Sequence, residues 1–295
     1  MVRVLVVGFL AYDSGKTTVA EALIRECIRR GIDVGVAKPV SSYNAWYQHR
    51  YFEESIRLGV LVGEDVMRLH RAARSNDPIE AEGPVVGALA PPDPSRLGWR
   101  TSVYADLASS TLHQMVMLRI TRCMGGMNPL TTHAVIQENL ERSIEPVQRM
   151  TKKMIKILSG RINKISLQEL EELLENKAPA IADTCLEQVC EAHENVIIES
   201  YNDVAAPTQG SLRSDVVVAV GPGRAAVYRG DLYMRGLEVT SQITKPWSTT
   251  TRRVLSVLKP EGTVIIDFKK AGDVREPWSE QLFDLIEKLY SRHIV

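Results

Sequence analysis

The first 40 residues constrain the fold most, because they contain an apolar run, a glycine-bounded loop, an amphipathic segment and a second apolar run in direct succession. The first run, "VRVLVVG" (2–8), is rich in β-branched residues, as expected of a buried parallel strand. From Thr17 onward the apolar residues fall at helical spacing, and Gly31 ends that pattern. The second run is "IDVGVAKPV" (32–40). This order predicts a βαβ unit.

The loop of this unit reads "GFLAYDSGKTT" and has the features of a phosphate-binding loop. Six residues separate Gly8 from Gly15, where the motif G-x-x-x-x-G-K-[ST] has four. The phosphate-binding groups of such a loop lie at its C-terminal end, where backbone N–H groups open a helix. That end is intact here, so we predict nucleotide binding. The predicted nucleotide-binding residues of the loop are Asp13, Ser14, Gly15, Lys16, Thr17 and Thr18.

Within this loop, the residue types indicate separate roles. Lys16 is predicted to contact the β- and γ-phosphates as a catalytic cation, and Thr17 to coordinate Mg²⁺. For Asp13 two roles stay open: orienting Lys16 or a water, and stabilising the turn.

The remaining chain alternates apolar runs with helical patterns, which predicts an α/β fold with a doubly wound, mostly parallel sheet of the P-loop NTPase type. We predict a single domain over 1–295, with a helical insertion at 100–182. The further predicted strands are 85–91, 195–200, 215–221 and 262–268. The further predicted helices are 63–74, 183–193 and 276–292, with a long polar helical stretch at 143–176.

Composition limits the partners and the compartment. Thirty-six basic and 36 acidic residues cancel, so we expect neither nucleic acid nor a membrane surface as a partner. No run approaches the roughly 20 apolar residues that span a bilayer. Four cysteines without a CxxC pair predict four reduced thiols in a cytoplasmic protein, and the scattered histidines predict no transition metal. The cysteines are Cys27, Cys123, Cys185 and Cys190.

Four landmarks in this order resemble the dethiobiotin synthetase family, which belongs to the SIMIBI class of P-loop proteins. That family also has a stretched phosphate loop, and its Lys-Pro-Val after the second strand is similar to "KPV" (38–40). Its aspartate at a helix start matches Asp65 of "GEDVMRL", and its metal-binding glutamate at a strand end matches Glu199 of "NVIIES". The chain departs from the family after Glu199, where Ser-Tyr-Asn replaces a glycine-containing turn. The resemblance covers roughly residues 1–95 and 190–225.

The resemblance implies Mg²⁺ and ATP as cofactors, with Thr17, Asp65 and Glu199 as metal ligands. Lys38 is then a catalytic and substrate-binding cation, with Ser41 beside it as a substrate-binding hydrogen-bond donor. Two alternatives stay open. Asp65 also suits the first turn of a helix, and Lys38 could be a solvated surface lysine.

The nucleotide base is predicted to contact the turn after the strand 215–221, as in SIMIBI relatives. The turn consists of Gly221, Pro222 and Gly223. The segment "TKPW" (244–247) lacks the aspartate of a guanine-reading motif, which favours ATP and leaves GTP as the alternative.

Two functions from different classes follow. The first is an ATP-dependent, ligase-like enzyme that phosphorylates a carboxylate or carbamate of an unknown small-molecule substrate. The second is a regulatory or cofactor-maturation ATPase or GTPase, in which hydrolysis switches a surface that binds another protein. A homodimer with the nucleotide near its interface is compatible with both, and a non-enzymatic nucleotide sensor is a third alternative.

Overall fold

Two mixed β-sheets organise the chain in the computed structural model, which describes residues 2–125, 128–158, 162–240, 245–267 and 276–291. The strands are β1 (Val2–Gly8), β2 (Gly35–Ala37), β3 (Val40–Asn44), β4 (Val85–Leu89), β5 (Met115–Arg122), β6 (Leu130–Ile136), β7 (Ile162–Ile165), β8 (Asn195–Glu199), β9 (Val216–Gly221), β10 (Arg224–Arg229) and β11 (Gly262–Ile265).

Helices connect these strands and cover both sheets. They are α1 (Lys16–Arg29), α2 (His49–Leu58), α3 (Glu64–Ala73), α4 (Ile79–Glu82), α5 (Thr101–Ser109), α6 (Thr111–Gln114), α7 (Gln137–Arg142), α8 (Glu145–Ile157), α9 (Leu167–Glu172), α10 (Ala178–Ala192), α11 (Gly230–Thr240), α12 (Thr251–Leu255) and α13 (Pro277–Ser291). No helix among the described residues is both long enough and apolar enough to cross a membrane.

The first sheet has the strand order β11-β10-β9-β1-β8-β2. Strand β1 pairs in parallel with β8 and β9, and β2 pairs in parallel with β8, whereas β10 and β11 are antiparallel. Leu5, Val6 and Val7 are fully buried, because α1 and α13 pack on one face and α10, α11 and α12 on the other. A central strand covered on both faces explains the unbroken apolar run at the start of the sequence.

The second sheet has the order β3-β4-β5-β6-β7 and packs α2 and α8 on one face and α9 and α10 on the other. Strands β3 and β4 are parallel, as are β6 and β7, and β5 is antiparallel to both of its neighbours. Helix α10 contacts the cores of both sheets, with Ala182 in one and Leu186 in the other. Helix α3 does the same, with Leu69 in the core of the first sheet and Met67 in that of the second, so both helices join the sheets.

The α/β class with mostly parallel strands is confirmed, but the strands form two sheets where one was predicted. The run 32–40 divides between β2 in the first sheet and β3 in the second, and the run 85–91 forms β4 of the second sheet. The division falls at Pro39, which has no N–H to donate to a ladder. The Lys38 N–H instead donates to the Glu82 carbonyl at 2.6 Å, and the chain crosses from one sheet to the other.

The segment 100–182, predicted as a helical insertion, contains the strands β5, β6 and β7 as well as helices. Arg119 in β5 and His133 in β6 are buried although both are polar, so the strands lack a clean apolar pattern. The predicted helical stretch 143–176 consists of α8, β7, α9 and a π-helical turn, with 159–161 outside the described residues. Residue 268 of the predicted strand 262–268 and residue 292 of the predicted helix 276–292 also lie outside them.

A disulfide joins Cys123, just after β5, to Cys185 of α10, with their Cα atoms 4.8 Å apart. The prediction of four reduced thiols is therefore wrong for this pair, while Cys27 and Cys190 are free and buried. The two bonded residues are 62 positions apart in the sequence. Only the packing of α10 against β5 brings them together, and cysteine spacing does not reveal it.

Candidate functional site

A cavity of about 930 Å³ lies where the loops after β1 and β8 meet the second sheet. It is lined by the loop 11–18, by Glu199 at the end of β8 with Tyr201 and Asn202 after it, and by residues 41–44 of β3. The carboxyl ends of parallel strands are where open α/β sheets bind ligands. The predicted loop therefore lies in the expected place, and strands β3 and β4 of the second sheet add further lining residues.

The loop folds back tightly over the end of β1. A Cβ atom on Gly8 would lie 2.5 Å from the Ser14 Oγ and 2.9 Å from the Lys16 Nζ, so a side chain there would displace both groups. Gly15 has φ of 91°, a left-handed conformation that favours glycine, and α1 begins at the next residue. The N-cap of α1 makes no side-chain hydrogen bond. The first N–H groups of the helix are thus left for an anion.

Thr17 joins the loop to two carboxylates from distant parts of the chain. Its Oγ1 lies 2.8 Å from the Glu199 Oε1 and 3.2 Å from the Asp65 Oδ1. Asp65 lies in the first turn of α3, and Glu199 is the last residue of β8. The two roles proposed for Asp65 are therefore compatible, because its position in the first turn of the helix directs the carboxylate to Thr17. The three predicted metal ligands lie together.

Lys38 lies between the same two carboxylates. Its Nζ is 2.6 Å from the Glu199 Oε1, 2.9 Å from the Asp65 Oδ2 and 2.9 Å from the Ser200 carbonyl oxygen. The residue is 1% exposed, so the alternative of a solvated surface lysine is wrong. An ammonium group has three donors, and all three have acceptors here. Contact of Lys38 with a substrate needs one of these bonds to be replaced, and it stays a prediction.

The electrostatics of the cluster reflect burial and pairing. Burial lowers the pKa of Lys16, and the charge of Lys38 adds to that effect. Burial also acts to lower the pKa of Lys38, but the charges of Asp65 and Glu199 outweigh it and raise the pKa. Burial raises the pKa of Glu199, whereas the Lys38 ammonium outweighs burial at Asp65 and lowers its pKa. The cluster holds two cations and two carboxylates, with Lys38 and Glu199 buried and the Asp65 side chain 33% exposed toward the cavity.

The donor set fits Mg²⁺. Glu199 is fully buried, and its Oε2 has no hydrogen-bond partner among the described residues. No group of three or more His, Cys, Asp or Glu side chains that could hold a metal occurs in the described part of the chain. Two carboxylates and a hydroxyl suit Mg²⁺, which keeps several water ligands and prefers oxygen.

Of the other predicted site residues, Ser41 joins the cavity and the turn 221–223 does not. Ser41 is 5% exposed, and its Oγ has no partner among the described residues. The turn connects β9 to β10 beside the ring of Phe9, and it does not line the cavity. Contact of Gly221, Pro222 and Gly223 with a base stays a prediction.

Residues 245–247 of the segment 244–247 do not line the cavity, and Thr244 is outside the described residues. The Trp247 Nε1 donates to the Glu175 carbonyl at 3.3 Å, next to α10. Its backbone carbonyl accepts a hydrogen bond from the Tyr201 hydroxyl at 3.3 Å. The choice between ATP and GTP stays a prediction.

Sequence reasoning missed the cavity residues that come from the second sheet and from α3, α5 and α6. They follow no motif, and only the tertiary structure brings them to the loop. They are Glu64, Arg68, Leu89, Tyr104, Ala108 and Gln114.

Comparisons with known proteins identify no relative of this chain, so the function of the site is argued from its geometry. No family model matches the chain, and neither a curated protein nor a solved structure matches it.

Proposed function

We propose that this chain is a Mg²⁺-dependent P-loop enzyme that binds ATP and hydrolyses it or transfers its γ-phosphoryl group. The observation that carries the proposal is the Thr17 hydroxyl, which contacts the carboxylates of Asp65 and Glu199 directly after Lys16. A hydroxyl at a helix start, two carboxylates and a lysine are the parts that hold a metal–triphosphate complex in P-loop enzymes.

Each residue then has a defined task. The N–H groups at the start of α1 and the Lys16 ammonium bind the β- and γ-phosphates. Thr17, Asp65 and Glu199 would hold Mg²⁺, which when bound neutralises charge on the phosphate oxygens. Lys38 keeps the two carboxylates in position and offsets their charge, so that they do not repel the triphosphate. Lys38 thus acts through Asp65 and Glu199.

The resemblance to the dethiobiotin synthetase family supports the same proposal. The four residues that carry the resemblance lie far apart in the sequence and form one cluster in the structure. They are Thr17, Lys38, Asp65 and Glu199.

The test is a calorimetric titration of ATP and of GTP, each with Mg²⁺, into the wild type, Lys16→Ala and Lys152→Ala. Lys152 is an exposed lysine of α8 and is the matched control. We expect micromolar binding of ATP, a loss of at least about 100-fold in Lys16→Ala because a buried charge-assisted contact is removed, and no change in Lys152→Ala. Binding of GTP in place of ATP would show that the site prefers guanine to adenine. Binding of neither nucleotide would overturn the proposal.

A second candidate, the regulatory NTPase, is favoured by one observation. Phe9, Leu10 and Tyr12 of the loop are 40%, 47% and 71% exposed, which is unusual for apolar and aromatic side chains beside a nucleotide site. A second copy of the chain or another protein that packs here would contact the nucleotide loop directly. Sedimentation velocity with and without MgATP distinguishes the candidates, because the regulatory function requires nucleotide-dependent association of the wild type that Tyr12→Ser weakens.

A further inference from the structure

The cavity has a second wall that the binding of a nucleotide does not explain. We call it the acceptor wall and define it as Ser41, Ser42, Asn44, Leu89, Tyr104 and Gln114. These residues belong to β3, β4, α5 and α6, and they line the same cavity as the phosphate loop. The whole cavity, at about 930 Å³, is near the upper end of the roughly 300–1,000 Å³ that is usual for ligand sites. It is therefore large enough for a second molecule beside a triphosphate.

Charged groups around the acceptor wall are already paired. Three cationic side chains line the cavity, of which Lys16 belongs to the phosphate loop. Lys38 is bound by two carboxylates, and the Arg68 Nη2 lies 2.8 Å from the Glu21 Oε2. A carboxylate that entered this side of the cavity would find no free cation among the described residues, and burial of an unpaired charge is costly. The wall thus disfavours an anionic molecule.

The free hydrogen-bonding groups of the wall are uncharged. The buried Ser41 Oγ has no partner among the described residues, and a hydroxyl can both donate and accept. The Gln114 amide nitrogen donates to the Ala108 carbonyl at 2.7 Å, which leaves the side-chain carbonyl oxygen as an acceptor. A donor-acceptor group and an acceptor on one wall suit a molecule with several hydroxyl groups.

Helix α5 provides the apolar complement of these polar groups. None of its residues is buried, and Tyr104 and Ala108, one helical turn apart, line the cavity. Leu89 and Pro91 also line the cavity. An aromatic ring and small apolar groups beside uncharged polar ones match the C–H and O–H surfaces of a polyol or sugar.

We propose that the acceptor wall binds an uncharged polyhydroxylated molecule, with Ser41 and Gln114 as specificity-determining residues, and that one of its hydroxyl groups receives the γ-phosphoryl group. This rests on the proposed function. In the transfer, the acceptor oxygen forms a bond to the γ-phosphorus while the bond from that phosphorus to the β–γ bridging oxygen breaks. ADP leaves with the bridging oxygen and its electron pair, and the proton of the hydroxyl passes to water.

The experiment is saturation-transfer difference NMR in the presence of MgADP, with two pools of probes. One pool contains glycerol, D-ribose, D-glucose and myo-inositol, and the other contains succinate, malonate and L-glutamate. The proteins are the wild type, Ser41→Ala, Gln114→Leu and the control Ser109→Ala, whose exposed serine lies on α5 and does not line the cavity. Transfer from γ-³²P-labelled ATP to each uncharged probe is measured in parallel.

We expect at least one uncharged probe to bind the wild type and Ser109→Ala and to become phosphorylated, with at least a fivefold loss of both signals in Ser41→Ala and Gln114→Leu. The thermal midpoint of Ser41→Ala should stay at the wild-type value, because its hydroxyl has no partner to lose. If Ser41→Ala loses probe binding while its thermal midpoint is unchanged, Ser41 determines specificity and is not required for the stability of the fold.

Three results would overturn the inference: Ser41-dependent binding of a carboxylate probe, no binding of any uncharged probe, or binding that both variants leave intact. The ATP titration separates this failure from that of the proposed function. A wild type that binds MgATP and none of the uncharged probes contradicts only the acceptor wall. A wild type that does not bind MgATP contradicts the proposed function itself.

Discussion

The two sheets each contain a buried cation, and the two cations differ in their partners. At the edge of the first sheet, Lys38 is held by two carboxylates. In the second sheet, Arg119 is fully buried and donates to the Gly83 carbonyl and the Thr121 hydroxyl, and no carboxylate among the described residues pairs with it. Burial lowers the pKa of Arg119 to about 10. The difference separates a cation paired with carboxylates beside a cavity from a cation that donates to uncharged groups in an interior.

The largest expected effect is that of Lys38→Met. Removing the ammonium leaves Glu199 fully buried without its cationic partner, and breaking a buried pair in this way costs about 3–5 kcal/mol of unfolding free energy. Urea unfolding at pH 7 measures it. The double variant Lys38→Met/Glu199→Gln should recover most of the loss, because it removes the orphaned charge as well.

Arg119→Met is the matched change in the second sheet. The change leaves the Gly83 carbonyl without its hydrogen-bond donor, whereas the Thr121 hydroxyl keeps its contact with the Thr131 hydroxyl at 2.9 Å. We therefore expect the free energy of unfolding to fall by less than about 2 kcal/mol. If Arg119→Met and Lys38→Met lost equal free energies of unfolding, pairing with carboxylates would not distinguish the two buried cations.

Disulfide reduction has the next largest expected effect and should act mainly on the second sheet. The Cys123–Cys185 bond ties β5 to α10 over a separation of 62 residues, and such a cross-link contributes about 2–4 kcal/mol. Hydrogen exchange after reduction should therefore accelerate in β5 and β6 more than in β1. A Cys123→Ser/Cys185→Ser variant that still responds to reductant, or faster exchange in β1 than in β5, would contradict this assignment.

The sequence predicted the first sheet and its site far better than the second. Thr17, Lys38, Asp65 and Glu199 each follow an apolar run or open a helical one, so local pattern and strand order place them at one edge. The second sheet contains Arg119 inside a buried strand, which breaks the apolar pattern that identifies strands.

Other features of the molecule have no local signal in the sequence. The disulfide, and the positions of Tyr104 and Gln114 in the acceptor wall, depend on contacts between segments far apart in the chain, which neither spacing nor periodicity encodes.

Acidification should weaken the second sheet through His133. Burial, together with the charge of Arg119, lowers the pKa of His133 from 6.5 to about 4. The unfolded chain therefore binds more protons between these values, and stability falls by at most about 3 kcal/mol as the pH drops from 6.5 to about 4. Urea unfolding across this range should show the loss in the wild type and a smaller loss in His133→Gln. The glutamine can still accept from the Leu61 N–H, so the comparison isolates titration. Equal pH dependence in both proteins would exclude His133 as the cause.

The smallest expected effect is a loss of stability on raising the pH, the opposite of the effect at His133. It arises at the amino end of β8 in the first sheet. His193 precedes β8, and its ring nitrogens lie 3.0 Å from the Asp33 Oδ1 and 2.9 Å from the Asp77 Oδ2. Burial acts to lower the pKa of His193, but the two carboxylates outweigh it and raise the pKa above 6.5. The stabilisation is therefore fully present below pH 6.5 and is lost as the pH rises through the raised pKa.

His193→Gln should accordingly cost about 1 kcal/mol more at pH 6 than at pH 9, because partly exposed ion pairs contribute about that much. In His133→Gln the cost should shrink on acidification, so unfolding curves of the two variants over the same pH series should diverge in opposite directions. Parallel curves would mean that pairing with carboxylates does not distinguish the two sheets. Unfolding free energies that change with pH in opposite directions would show that pairing with carboxylates distinguishes the histidines of the two sheets. The Lys38 and Arg119 variants test the same distinction for lysine and arginine.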